Sequence, residues 1–299
     1  MRVFVTGATG HIGSLVVAEL HRAGHKVLGL ARSETSAAAL TATGATAHRG
    51  DLADVDGLRE AAAAADGVIH LAFGHDFSDY AGAGAADQRA VAAIGEALAG
   101  SGKPFVVTSG TAGLALGLLG RESDELVENG PMAPRVPTEH LTVALAERDV
   151  RTSIIRLAPS VHGPGDTHGF IPQLIDIART KGVSAYIGDG RNRWPAVHDL
   201  DAARLYRLAL EAAPAGSRWH GVGDEGVSTR EIAEAIGRAG NLPVASVSEQ
   251  DAAAHFGWLA ALLGMDIPAS NQATRDQLGW RPAHPGLIED IETGHYLKD

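Results

Sequence analysis

The segment Thr6-Gly7-Ala8-Thr9-Gly10-His11-Ile12-Gly13 constrains this chain more than any other. It follows a short apolar run at residues 3–5 and precedes a stretch in which Ile12, Leu15, Val16, Leu20 and Ala23 recur at helical spacing until Gly24 stops it. A glycine loop between a strand and a helix gathers backbone N–H groups and the positive end of the helix at one point, where a pyrophosphate can be held. Three glycines elsewhere would mean little. At a strand–helix junction they argue for a dinucleotide site.

The same alternation runs on. Apolar, β-branched-rich runs at 27–31, 45–48, 68–71, 105–108 and 153–157 read as further strands, separated by alanine-rich helical segments that include 85–99 and 137–148. Strands and helices in strict alternation predict right-handed βαβ units around a parallel sheet, an α/β fold of the Rossmann, doubly wound type. Past residue 160 the rhythm breaks at Gly163, Pro164, Gly165, Gly169 and Pro172, and a smaller C-terminal substrate-binding lobe is expected. The expected division gives 1–164 plus about 194–213 to the nucleotide-binding domain. Residues 165–193 and 214–299, with a short strand at 219–222, go to the lobe, and helix 200–212 returns to the core.

Charge and composition remove several function classes. A net charge of −11 argues against a nucleic-acid surface, so an anionic ligand must be met by a few placed donors. With no cysteine in 299 residues there is no disulfide, thiolate metal site or cysteine nucleophile, and a reducing compartment is the simplest reading. The chain opens directly on its first strand without a signal peptide and has no apolar run long enough for a membrane span, so a cytoplasmic location is expected. Histidines and carboxylates show none of the usual metal-ligand spacings, and no metal is expected.

The second strand bears on the choice of dinucleotide. Sites that select NAD end this strand with a carboxylate on the ribose 2′-hydroxyl, whereas a 2′-phosphate needs a cation there. Here the strand ends Gly29-Leu30-Ala31-Arg32-Ser33. Arg32 can make a charge-assisted pair with the phosphate and Ser33 adds a neutral donor, so NADP is expected rather than NAD.

With these landmarks in order, the chain resembles the short-chain dehydrogenase/reductase superfamily, in its extended branch of epimerases, dehydratases and reductases. The GxxGxxG spacing of Gly7, Gly10 and Gly13 points the same way. The resemblance implies cofactor contacts from Thr6, Gly7, Thr9, Gly10, His11, Ile12 and Gly13. It implies adenine contacts at Gly50-Asp51-Leu52, and a backbone lining at Leu71, Ala72 and Phe73 after the fourth strand. Val107-Thr108-Ser109 closes the fifth strand at the family's catalytic serine. Pro159, Ser160 and Val161, in Arg156-Leu157-Ala158-Pro159-Ser160-Val161-His162-Gly163, match its segment beside the nicotinamide. Trp194-Pro195-Ala196-Val197-His198-Asp199 and Leu278-Gly279-Trp280-Arg281-Pro282 match later signatures, so the likeness spans nearly the whole chain. It also suggests a homodimer through helices 85–99 and 137–148.

One family feature is missing. Proton transfer there uses a Tyr-x-x-x-Lys pair, yet none of Tyr80, Tyr186, Tyr206 and Tyr296 has lysine four residues on. By the family's interval from Ser109, Arg135 stands at the tyrosine position and Glu139 at that of lysine, where an Arg135–Glu139 bridge one helical turn apart is expected. A guanidinium polarises an oxygen or clamps an anion but is a poor acid near neutral pH. Ser109 and Arg135 are therefore expected to hold a carbonyl or imine, with His75 or His162 shuttling the proton and Glu139 as a further catalytic candidate beside its bridge. Tyr80, Phe170, Arg193, Trp194 and His198 are expected on the substrate wall, with ordinary packing as their alternative. The function read from this is an NADP-dependent oxidoreductase acting on a small molecule. A non-catalytic NADP-binding sensor is the alternative, and a nucleotide-sugar epimerase or dehydratase stands third.

Overall fold

The computed structural model describes residues 1–74 and 79–297. In chain order the first half runs β1 (Arg2–Thr6), α1 (His11–Arg22), β2 (Lys26–Ala31), α2 (Glu34–Ala42), β3 (Thr46–Arg49), α3 (Val55–Ala63), β4 (Gly67–His70), α4 (Tyr80–Leu98), β5 (Pro104–Gly110), α5 (Val136–Ala144) and β6 (Arg151–Leu157). Then follow β7 (Ser160–His162), α6 (Phe170–Lys181), β8 (Ser184–Ile187), β9 (Arg193–His198), α7 (Asp199–Ala212), β10 (Ser217–Gly221), β11 (Asp224–Ser228), α8 (Thr229–Gly240) and β12 (Val244–Val247), with short helices to the end.

Seven parallel strands form the central sheet in the order β10-β6-β5-β4-β1-β2-β3. Strands covered on both faces must be apolar throughout, which is why β2 reads as a nearly continuous run instead of alternating. Helices α1 and α7 bury Val16, Leu20, Leu205 and Tyr206 on one face. On the other, α3, α4 and α5 bury Leu58, Val91, Ile94 and Leu141. The order in which successive strands are added reverses at β1, with β2 on one side and β4 on the other, so the carboxyl ends of β1 and β4 open a crevice at the switch point where such sheets bind ligands.

The six strands expected from apolar runs all form. Two later elements fall differently from the expected division. Residues 217–221, expected in the smaller lobe, form β10 and pair in parallel with β6 at the sheet edge. Helix α7 is the crossover that brings them there, and Trp219 fills the space between strand and helix at 1 % exposure. Conversely β9, expected at the start of the returning nucleotide-binding segment, joins β7 and β11 in a separate three-stranded sheet. That sheet and α6 and α8 enclose a second core of Ile171, Leu174, Trp194, Ile232 and Phe256.

One buried ion pair ties α5 to the sheet. Arg156 on β6, wholly buried, donates from Nε and Nη2 to the Glu139 carboxylate at 3.1 and 2.7 Å and from Nη1 to the Asp124 carbonyl at 2.7 Å. Arg218 approaches the same carboxylate at 3.8 Å. The expected bridge from Glu139 to Arg135 is thus corrected, because α5 turns Glu139 toward β6 and β10. Removing one member of such a pair strands the other charge in the core. Glu139→Ala is expected to lose about 3–5 kcal/mol of unfolding free energy in a denaturant titration. Loss of less than about 1 kcal/mol, the level of an exposed pair, would show that the bridge does not bear on stability.

Candidate functional site

At the end of β1 the Thr6 hydroxyl accepts the N–H groups of Leu71 and Ala72, each at 3.2 Å, and lies 2.9 Å from His70 Nδ1. This clamps the end of β1 to the segment after β4. Gly7 has φ +67°, and a Cβ there would stand 2.8 Å from the Ala72 nitrogen. At Gly13 a Cβ would meet the Gly7 carbonyl oxygen at 2.0 Å, so α1 lies directly against the loop. Gly10 caps that helix without any side chain, leaving first-turn N–H donors for a ligand. Ile12 packs inward on the core, while Thr9, Gly10 and His11 line an open recess of about 380 Å³ with Pro164, Gly165 and Asp199. Uncapped amides, and a cradle that side chains would fill, suit a dinucleotide diphosphate.

Toward the edge of the sheet, Arg32 is exposed just past β2. Ser33 accepts the Ser36 N–H at 3.1 Å and caps α2, so its hydroxyl has a structural task as well. Asp51 is exposed and accepts the Ala53 N–H at 2.8 Å, while Leu52 packs on the core. Sequence reasoning missed Arg49, which ends β3 in register with Ala31 and pairs with Glu34 at 3.3 Å. It places a second guanidinium beside Arg32's strand end.

At the other end of the crevice, Ser109 is buried at the end of β5 and its Oγ has no hydrogen-bond partner among the described residues. Thr108 Oγ1 donates to the His70 carbonyl at 2.7 Å and sits 2.8 Å from the Tyr206 hydroxyl. Arg135 is buried too. It donates to the Thr108 carbonyl, and its Cζ lies 4.0 Å above the Phe73 ring centre. Its Nη1 is 3.9 Å from Asp87 Oδ2, and Asp87 Oδ1 is 3.1 Å from His70 Nε2. Burial of Asp87 works against ionisation, but the His70 hydrogen bond and the Arg135 charge outweigh it and hold the carboxyl below its ordinary range. A line of polar groups therefore runs from Arg135 through Asp87 and His70 to Thr6 at the glycine loop. Neither Asp87 nor His70 carries a sequence motif that would have marked it for this role.

Phe73 also meets the Tyr80 ring edge-on at 5.6 Å, and the Tyr80 hydroxyl donates to Met132 Sδ at 3.1 Å. His75 lies outside the described residues. His162 is fully buried on β7, with Nδ1 2.8 Å from Asp290 and its ring edge-on to His198. His198 pairs with Asp199 at 3.1 Å and stacks on His284. Both histidines thus join β7 and β9 to α7 and the C-terminal segment. Trp194 is fully buried, with Phe170 edge-on to its ring. Arg193 holds Asp266 at 2.9 Å. Pro159, Ser160 and Val161 form the turn from β6 into β7, with the Ser160 Oγ buried and unpartnered among the described residues.

Residues 3–220 match the model of the NAD dependent epimerase/dehydratase family. The chain belongs to that family. A Schizosaccharomyces pombe protein of uncharacterised function is 50% identical over 99% of this chain and 100% of its own length. Similar at 26% identity, over 94% of this chain and 92% of the other, is the 4-hydroxy-2-methyl-3-oxo-4-farnesyl-3,4-dihydroquinoline-1-oxide ketoreductase of Stigmatella aurantiaca. Among solved structures, a dTDP-glucose 4,6-dehydratase from Streptomyces venezuelae with NAD bound superimposes with a TM-score of 0.79 at 20% identity, covering 99% of this chain and 96% of that one. That likeness bears on the fold, and it agrees with the parallel sheet described above.

Within the glycine loop, His11 makes contact with the second half of the chain. That ring lies 3.3 Å from Asp199, which begins α7, and it also faces Gly165. Asp199 raises the His11 pKa above its usual 6.5. Burial of Asp199 opposes its ionisation, but His11 and His198 together hold its carboxyl well below the ordinary range. A histidine raised on folding contributes stability that is complete below its unfolded pKa of about 6.5 and fades as pH rises through the folded value. His11→Gln should therefore lower the thermal midpoint at pH 6 more than at pH 9 in calorimetry. An equal drop at both pH values would rule out the ionic part of this contact.

Proposed function

We propose that the protein is an NADP-dependent oxidoreductase that reduces a carbonyl or imine of a small molecule, or runs the reverse oxidation. The observation that carries the reaction is a buried Ser109 hydroxyl, unpartnered among the described residues, beside the buried Arg135 cation that bonds the carbonyl of the preceding Thr108. An unpaired buried hydroxyl is costly and calls for an acceptor or donor from a ligand. Ser109 donates to the substrate oxygen, and Arg135 supplies positive charge where negative charge develops. When bound, the dinucleotide supplies or takes up the hydride. His70 and Asp87 keep Arg135 in place. The ketoreductase relative acts, by its name, on a ketone, the kind of group this reading assigns to the substrate.

NADP as the cofactor is supported by Arg32 at the end of β2, with Arg49 beside it and no carboxylate of β2 competing for the site. A non-catalytic NADP sensor is the second reading, favoured by the missing Tyr-x-x-x-Lys pair; nucleotide-sugar epimerisation ranks third because it leans on that pair. A homodimer through α4 and α5 and a cytoplasmic location belong to the same proposal. Within one chain those helices already meet closely, since a Cβ on Gly95 would stand 2.3 Å from Leu145.

Arg32→Ala is expected to weaken NADPH binding by about tenfold or more in a fluorescence titration, equivalent to about 1.4 kcal/mol, and to leave NADH binding nearly unchanged. Equal weakening of both would overturn the assignment of Arg32 to the 2′-phosphate. A panel of aldehydes, ketones and cyclic imines then separates the first two readings: consumption of NADPH with one compound class supports the enzyme, and tight binding without consumption supports the sensor.

A further inference from the structure

The reaction needs an acid, and Arg135 is a poor one. We propose that Tyr80 is the proton donor, a tyrosine relocated to the start of α4, and that Arg135 is the cation which makes its phenolate affordable. Five contacts converge on this assignment. The Phe73 ring lies between the two groups, edge-on to Tyr80 at 5.6 Å and 4.0 Å beneath the Arg135 guanidinium. The Tyr80 hydroxyl donates to Met132 Sδ at 3.1 Å, and the Met132 methyl lies 3.3 Å from where a Cβ on Gly110 would stand, next to Ser109. Arg135 in turn is bonded to the carbonyl of Thr108, on the other side of Ser109. The phenol, the serine hydroxyl and the guanidinium are thus gathered around the end of β5. A thioether is a weak acceptor, so a substrate oxygen entering beside Ser109 displaces it readily.

The charges acting on Tyr80 agree with an acid held protonated until it is used. Burial pushes the phenol above its ordinary value and the Asp87 carboxylate adds to that, while the Arg135 charge pulls it back. In the reducing direction the carbonyl carbon gains the hydride pair from the reduced nicotinamide dinucleotide, which is oxidised. The carbonyl π pair moves onto oxygen, that oxygen takes the Tyr80 proton, and the phenolate left behind is reprotonated from water. Family members draw both groups from one helix face. Here the phenol comes from α4 and the cation from the residue just before α5, with Asp87, two turns along α4, pairing with the cation.

This assignment rests on the oxidoreductase reading, and its test separates the two. Near-ultraviolet absorbance of tyrosinate is titrated in the wild-type protein and in Tyr80→Phe; their difference isolates Tyr80 from the other tyrosines. Arg135→Gln is expected to move that transition up by about one pH unit or more, and Arg135→Lys to leave it close to wild type. Tyr80→Phe keeps the ring and its packing. It is expected to lower NADPH consumption about 100-fold or more with the reactive compound of the panel, at unchanged NADPH affinity by fluorescence, and it carries the test if Arg135→Gln does not fold. A Tyr80 transition indifferent to the charge at 135, or full turnover in Tyr80→Phe, overturns the proposal while leaving the oxidoreductase reading standing. Failure of the wild-type protein to bind NADPH sinks that broader reading instead.

Discussion

Gly13 has no room for a side chain: a single carbon there would stand 2.0 Å from the Gly7 carbonyl oxygen. From that close approach the rest follows. It presses the first turn of α1 onto the end of β1, aims uncapped N–H donors at the crevice, and fixes where β1 and the segment after β4 must meet. Thr6 completes the junction by accepting two amides from that segment. The apolar strands could form a parallel sheet without this contact. They would not present a ligand cradle at its switch point.

A second constraint is the placing of charge in a dry interior. Arg156 with Glu139, and Arg135 with Asp87 and His70, are two buried networks on adjacent sides of β5 and β6. Their tasks differ because their saturation differs. Arg156 uses Nε, Nη1 and Nη2 on a carboxylate and a carbonyl, an arrangement that binds α5 to the sheet. Arg135 touches its carboxylate only at 3.9 Å and shares its neighbourhood with a serine hydroxyl unpartnered among the described residues and an aromatic face. A charge so loosely compensated is the one that can respond to a substrate oxygen.

Much of the fold was legible because periodicity is local. Residues 3–5, 27–31 and 105–108 announce strands by composition alone, and the loop at Thr6–Gly13 fixes their relation to α1. The fate of residues 217–221 was not legible, since a short apolar run does not say which of two sheets it joins; the length and amphipathic face of α7 decide that in three dimensions. Within the site, the glycines could be read because their role is backbone geometry tied to sequence spacing. Glu139 could not, because helical spacing from Arg135 suggested a local bridge and the stronger partner came from a strand far along the chain. The partnership of His70 with Asp87 was silent for the same reason, since only the packing of α4 on the sheet brings the two side chains together.

Asp199 shows how the two parts of the chain are made to act as one. It starts α7, a Rossmann helix, yet its carboxylate faces His11 in the glycine loop and His198 at the end of β9 in the smaller sheet. Gly163, with φ +156°, brings the turn after β7 so near that a Cβ would fall 2.3 Å from the same carboxylate. One buried anion is therefore shared by the glycine loop, the end of β9 and the turn after β7. One charged imidazole neutralises the Asp199 carboxylate, so the recess lined by Thr9, His11 and Gly165 draws an anion through the helix amides and not through an excess of positive side chains. An anionic ligand entering that recess meets the uncapped amides of α1, and its charge adds to that of Asp199 in favouring the protonated form of His11.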